Sequence, residues 1–272
     1  MSKLSRFRDV LRVTPGERVD LSTIDPGATH GWKKNAGEQE TATQLARLSD
    51  LQDRLWAQAR DSVLVILQGI DAAGKDGTIQ KVMEAFNPQG CTVSAFKVPT
   101  PEELAHDYLW RIHRRVPGKG EIGIFNRSHY EDVLVVRVHD LVPRDVWSSR
   151  YRQIREFERH LVENGTTIVK LFLYISREEQ RVRFQERYDD PRKRWKFSLG
   201  DLDERKLWDD YIRAFEDALS ETSTDNAPWY VIPANRNWLR NLAVASILAE
   251  TIDGLKPDYP PAPDLPPNLK IE

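Results

Sequence analysis

Glycines and a lysine at fixed spacing, with an aspartate set among them, make Gly69-Ile70-Asp71-Ala72-Ala73-Gly74-Lys75-Asp76-Gly77-Thr78 the stretch of this chain best suited to handling phosphate. In the pattern Gly-x-x-x-x-Gly-Lys the backbone of Gly69, Ala72, Ala73, Gly74, Asp76, Gly77 and Thr78, with the N-terminal end of the following helix, attracts phosphate oxygens. Lys75 adds a mobile point charge. Asp71 is an unusual resident of such a loop. Its carboxylate can hold Mg2+ directly or through water, or orient an attacking oxygen; a loop-capping role is the alternative. Asp76 stands where a Ser or Thr ordinarily holds Mg2+, and an acid there is equally well explained by the helix dipole.

Two further groups supply what the loop lacks. In Asn126-Arg127-Ser128-His129-Tyr130-Glu131-Asp132, Arg127 can grip phosphate bidentately, as guanidinium can and ammonium cannot. Asn126 offers a metal only a neutral oxygen, so metal affinity rests on Asp71, with Glu131 or Asp132 as further donors or as ordinary helix-start acids. His129 reads as a general base or as a packing residue, and a loose phosphoryl-transfer transition state needs little deprotonation. Arg183 and Arg187, four apart, share one helical face. They fit a lid closing over phosphates or a solvated helix paired with Glu179 and Glu186. Residues 181–196 carry seven basic side chains against three acidic ones, a local excess of four. A phosphate cradle, metal donors and convergent cations are the requirements of phosphoryl transfer.

The elements that must position these groups are legible in the apolar pattern. Strands are expected at 62–68, 91–98, 121–126, 166–175 and 229–232, where short β-branched runs are bounded by turn residues. Helices are expected at 40–60, 79–86, 101–115, 144–163, 181–196 with Pro191 interrupting, 203–219 and 237–255. Strands alternating with helices predict an α/β fold: a five-stranded parallel sheet flanked by helices, of the P-loop kinase kind, with ligands at the carboxyl ends of the strands. Three regions are expected: residues 1–60 as an arm and helix packed on the core, 61–256 as the core with a helical lid at about 177–215, and 257–272 as a Pro-rich extended or disordered tail.

Composition narrows the function classes. The chain has 272 residues, 40% of them hydrophobic, enough for one substantial core. A formal net charge of -2 requires any polyanion to be met by local clusters. Cys91 is the one cysteine, so no internal disulfide forms. The N-terminus lacks an apolar segment of signal-peptide type and no 18-residue apolar run occurs, so a cytoplasmic protein without membrane partners is expected.

The motifs carry a resemblance. The chain resembles the polyphosphate kinase 2 family, P-loop enzymes that move phosphoryl groups between inorganic polyphosphate and nucleotides. The resemblance lies in GIDAAGKDGTI at 69–79, IFNRSHYEDVLVVRV at 124–138, and DPRKRWKFSLGDLDERKLWDDY at 190–211 followed by APWYVIPANRNW at 227–238. With NPQG at 87–90 and VPTPEELAHDYLWR at 98–111 it spans about residues 30–255. It implies that Asp71 and Lys75 are the family's P-loop aspartate and lysine, that Arg127 is the arginine of its second motif, and that Arg183, Arg187 and Lys193 form its basic lid. Asn126 replaces an aspartate common in that second motif. The FNRSHYED version is similar to the class III subgroup, which implies that AMP and ADP are both phosphorylated with polyphosphate as donor. Asp71, Asn126 and Glu131 are the expected metal donors for Mg2+, with Mn2+ as a substitute. A nucleotide pocket is expected from residues 99–111 with Trp195 and Phe197, in a homo-oligomer, dimer or tetramer, that binds no nucleic acid. An ATP-dependent nucleoside monophosphate kinase and a non-catalytic polyanion-binding module are the competing readings.

Overall fold

The computed structural model describes residues 5–264, and the expected tail beyond 264 lies outside them. In chain order the elements are α1 (Ser5–Val10), α2 (Lys34–Gln58), β1 (Ser62–Gln68), α3 (Lys75–Val82), β2 (Cys91–Ala95), α4 (Pro101–Leu104), α5 (Trp110–His113), β3 (Ile122–Asn126), α6 (Val135–Val138) and α7 (Arg144–Glu163). They continue with β4 (Thr166–Tyr174), α8 (Arg177–Asp189), α9 (Leu199–Lys206), α10 (Trp208–Thr222), β5 (Trp229–Pro233) and α11 (Asn237–Gly254).

The five strands form one parallel sheet in the order β2-β3-β1-β4-β5. β1 is central and buried along its whole length, as its unbroken apolar run requires. Its side chains alternate between two cores. Val63, Val65 and Leu67 face Leu48 and Leu55 of α2 and Leu242 of α11, while Leu64 and Ile66 face Ile154 of α7 and Phe215 of α10. Leu67 lies opposite Asn126, so the loops after β1 and β3 leave the sheet side by side. That shared end is where the phosphate loop and Arg127 meet.

Several boundaries differ from the sequence expectation, each for a local reason. α2 begins at Lys34 rather than residue 40, and Gly37 within it lets Trp238 of α11 approach so closely that a Cβ would lie 2.7 Å from the indole. The expected helix at 101–115 is two short helices. Thr100 and Glu103 close a capping box on α4, and the Asp107 carboxylate then accepts the Leu109 N–H at 2.9 Å, turning the chain before α5. α8 starts at Arg177 because Ser176 caps it, and ends at Asp189, just before Pro191. The N-terminal arm shields the sheet. Leu11 and Val13 pair with Val231 and Trp229 through backbone bonds of 2.9 and 2.8 Å, covering the edge of β5.

Candidate active site

The loop from Gly69 to Gly74 is shaped by residues with little or no side chain. A Cβ at Gly69 would lie 2.9 Å from both the Ala73 Cβ and the Leu173 carbonyl oxygen, so only glycine permits the loop to sit down on β4. Ala72 and Gly74 both take left-handed backbone, at φ 66° and 101°. The Thr78 N–H and hydroxyl both donate to the Gly74 carbonyl oxygen, at 2.9 and 3.1 Å, which fixes the first turn of α3. Asp76 is in that first turn and exposed, while Gly77 lies beneath a guanidinium described below.

Lys75 folds back over the loop, its ammonium donating to the Gly69 carbonyl oxygen at 2.6 Å. Burial draws its pKa down to about 8, helped by the nearby Arg127 and opposed by Asp71, Glu131 and Asp76. Arg127 follows directly on β3 with φ 62°, a left-handed conformation unusual for a residue with a long side chain. Its backbone N–H is tied to the Leu67 carbonyl oxygen at 3.0 Å. Its guanidinium forks between two carboxylates, Asp71 Oδ1 at 2.7 Å and Glu131 Oε2 at 3.2 Å. Although burial opposes it, those two acids hold the Arg127 proton more tightly than usual. Asn126 donates to Asp76 Oδ1 at 2.9 Å. The residues of the two motifs therefore converge: Arg127 binds Asp71 and Glu131, Asn126 pairs with Asp76, and Lys75 lies within electrostatic reach of Asp71, Asp76, Arg127 and Glu131. Asp71, Arg127 and Glu131, with Tyr211 and Gln180, line a cavity of about 30 Å³, and Gln180 donates to the Asp71 carbonyl oxygen at 3.0 Å.

The three basic residues expected to form a lid occupy three distinct places. Arg183 reaches the loop itself, donating to the Ala72 and Ala73 carbonyl oxygens at 2.9 and 3.1 Å and to Ala234 at 2.6 Å, with Glu179 on its Nε at 2.7 Å. Arg187 lies one turn on, against the Phe184 ring at 5.6 Å. Lys193 is on the outer surface, 3.4 Å from Asp190. Of the two lid aromatics, Phe197 packs edge-on against Phe184 and Tyr188, whereas Trp195 is 77% exposed.

Beneath the Arg127 turn lies a buried charged network. Lys170 of β4 donates to Glu158 at 2.6 Å, to the Tyr130 hydroxyl at 2.9 Å and to the Thr222 carbonyl oxygen at 2.7 Å, while Tyr130 donates to Glu158 at 2.7 Å. His129 is part of it, fully buried and 3.4 Å from Glu158, and burial lowers its pKa against the pull of that carboxylate. A histidine so enclosed is a packing residue rather than a general base. A groove of about 630 Å³ opens beside this turn, walled by Pro99, Glu103, Tyr108, Arg111, Asp132 and Arg150. Burial pushes the Asp132 carboxyl up to about 6 despite Arg150 at 3.0 Å.

At the loop itself, sequence reasoning missed a cation. Arg240 of α11 is 3% exposed, and it sits so close behind the loop that a Cβ on Gly74 would collide with its Nη1. Its only signal in the sequence is its place two residues beyond the ANRNW segment, in a helix read as amphipathic packing.

A family model described as Polyphosphate kinase 2 matches residues 31–260. The chain is 57% identical over 251 residues to the AMP/ADP-polyphosphate phosphotransferase of Meiothermus ruber, covering 92% of this chain and 94% of that one. It is 49% identical over 265 residues to the ADP-polyphosphate phosphotransferase of Rhodopseudomonas palustris, covering 92% and 91%. Among solved structures, the crystal structure of polyphosphate kinase 2 from Arthrobacter aurescens TC1 superposes with a TM-score of 0.91 at 44% identity, covering 97% of this chain and 93% of that one.

Proposed function

This chain belongs to the polyphosphate kinase 2 family, and from that premise we propose that it transfers a phosphoryl group from inorganic polyphosphate to AMP and to ADP. The observation that carries the reading is the centre in which one guanidinium, Arg127, is held between Asp71 and Glu131 beside the Lys75 ammonium. Lys75 and the loop N–H groups bind the donor's terminal phosphates. Arg127, steered by its two carboxylates, clamps the transferring group, and Arg187 approaches it from the lid. An oxygen of the acceptor's terminal phosphate forms the new P–O bond as the bridging bond to the donor chain breaks in line, leaving the chain one phosphate shorter. Asp71 orients that incoming oxygen. Arg183 holds the loop carbonyls so that the N–H groups keep their aim, and Lys193 adds charge along the lid's outer face.

A divalent cation fits these residues. Asp71, Asp76 and Glu131 are hard oxygen donors, and Asn126 can add an amide oxygen. Among the described residues no group of three or more His, Cys, Asp or Glu side chains is arranged to hold a metal. Mg2+, for which one or two carboxylates plus substrate phosphates suffice, suits that donor set, with Mn2+ as a substitute. When bound, it supplies charge neutralisation at the phosphate oxygens. Arg127 engages one oxygen of each carboxylate, Asp71 Oδ1 at 2.7 Å and Glu131 Oε2 at 3.2 Å, so the other oxygen of each, with the Asn126 amide oxygen, would be the one to face a cation.

The groove beside Tyr108 and Arg150 is the proposed acceptor site, with Trp195 available from the lid. The proposed setting is the cytoplasm, as a homo-oligomer; among the described residues no helix is long and apolar enough to cross a membrane. Incubating the protein with Mg2+, AMP and polyphosphate, without ATP, tests the reading. Formation of ADP and then ATP is expected. An ATP-dependent monophosphate kinase would leave AMP unchanged, and that result would overturn the proposal.

A further inference from the structure

Arg240 is a buried cation without a counter-ion. Its Nη1 donates to Asn237 Oδ1 at 2.7 Å, and its Nε and Nη2 reach Asn241 Oδ1 at 3.3 and 3.0 Å; both acceptors are neutral amides. No carboxylate pairs with it among the described residues. A guanidinium has five N–H donors, and these three bonds leave one N–H on each terminal nitrogen unclaimed. Those nitrogens lie at the phosphate loop: a Cβ on Gly74 would collide with Nη1, and one on Gly77 would meet Nη2 at 3.3 Å. The next charge is another cation, since the same Gly74 position is 3.5 Å from Arg183 Nη1. Burying a charge beside a like charge, with amides as its only partners, is costly. Burial, reinforced by Arg183, draws the Arg240 pKa down to about 10.

A fold that needed only to fill this space would do better with an apolar side chain of similar volume. Nothing in the fold balances the charge, whereas a phosphate chain on the loop would.

We propose that Arg240 is a donor-specificity residue, a fixed positive charge set behind Gly74 and Gly77 that, unlike Arg183 with its Glu179 partner, is balanced only when a polyanionic phosphate chain occupies the loop. It acts through the loop as a positioning residue on the flank opposite Arg127, and so governs affinity for the donor rather than for the nucleotide. The inference rests on the proposed donor being polyphosphate.

Arg240→Met, close in volume and uncharged, and Arg240→Lys, which keeps the charge, provide the test in the full chain. Steady-state kinetics would give KM for long-chain polyphosphate and for ADP, and thermal melts would be run with and without polyphosphate. Arg240→Met is expected to raise KM for polyphosphate by on the order of 10-fold or more, the worth of one charge-assisted contact. KM for ADP should change far less. Its ligand-free melting temperature should equal or exceed that of the wild type, while the rise produced by polyphosphate shrinks, and Arg240→Lys should recover much of the donor affinity. Unchanged polyphosphate KM and unchanged stabilisation in Arg240→Met would overturn the proposal. So would a marked fall in its ligand-free melting temperature, which would make Arg240 a structural anchor. If the wild type itself makes no nucleotide from polyphosphate, the functional reading fails instead, and the polyphosphate-induced melting shifts still judge Arg240.

Discussion

Arg127 combines an unfavourable backbone with the side chain proposed to clamp the transferring phosphoryl group. At φ 62° its Cβ is strained, and such strain persists where surrounding structure over-determines it, here the N–H bond to Leu67 and the two carboxylates on the guanidinium. Two substitutions separate the contributions. Arg127→Ala and Arg127→Gly both remove the clamp and should lower turnover by on the order of 10³-fold. Only Ala retains the Cβ, so Arg127→Gly should be the more stable of the pair by about 1 kcal/mol in urea unfolding, the reverse of the usual glycine penalty. Equal stability would show that the backbone is relaxed. Asp71→Asn and Lys75→Ala should each lower turnover by orders of magnitude while leaving the circular dichroism spectrum unchanged; near-normal rates would remove them from the mechanism. Asp71, Lys75 and Arg127 were legible because glycine spacing and strand ends mark them. The fork of Arg127 between Asp71 and Glu131 was not, since those acids are 60 residues apart in sequence and meet only because β1 and β3 are neighbours.

At the scale of elements, the turn that carries Arg127 is anchored to α7, β4 and α10 by Lys170, Glu158, Tyr130 and Thr222. Both charges are buried, Lys170 completely. Although burial opposes it, the Lys170 ammonium and His129 hold the Glu158 carboxyl below its ordinary value. Lys170→Met strands a buried carboxylate and should cost about 3–5 kcal/mol in denaturant unfolding, whereas Lys170→Met with Glu158→Leu should recover most of that loss. The sign of the pH effect follows from the lowered Glu158 pKa: its contribution is present above the ordinary carboxylate value of 4.5 and is lost as pH falls through the lowered one. The double variant should therefore lose less stability on acidification than the wild type, and parallel losses would place the acid sensitivity elsewhere. None of this network was legible in the sequence. Lys170 interrupts an apolar strand run and Glu158 sits in a charged helix, and only the packing of α7 on β4 turns them toward each other. β1, β3, β4 and β5 were readable because buried parallel strands are largely apolar, whereas the more exposed β2 was marked by the turn before it and the prolines after it. The break between α4 and α5 was not, because it depends on one side-chain bond from Asp107.

For the molecule as a whole, charge is distributed rather than accumulated. The chain carries 40 Lys and Arg against 42 Asp and Glu residues, so no net field draws a polyanion in, and on the proposed reading attraction comes from Lys75, Arg127, Arg183, Arg187 and Arg240 about one end of the sheet. Interactions of exposed charges are screened over about 8 Å at physiological ionic strength. On the proposed reading a long polyphosphate chain would touch several of these cations and displace its own condensed counterions, as nucleic-acid phosphates do on binding protein. A nucleoside monophosphate brings a single phosphate, and at the proposed acceptor site the rest of its contact would be with groove walls such as Tyr108. KM for long-chain polyphosphate should accordingly rise steeply with KCl, linearly on logarithmic axes, while KM for AMP rises only weakly. The two slopes can be measured in one assay by varying each substrate against saturating amounts of the other. Removing a contributing cation should flatten the polyphosphate slope by about one unit and leave the AMP slope unchanged. If both substrates responded to salt equally, the cations would belong to a shared or nucleotide site, and the separation of donor and acceptor between the loop and the Tyr108 groove would have to be abandoned.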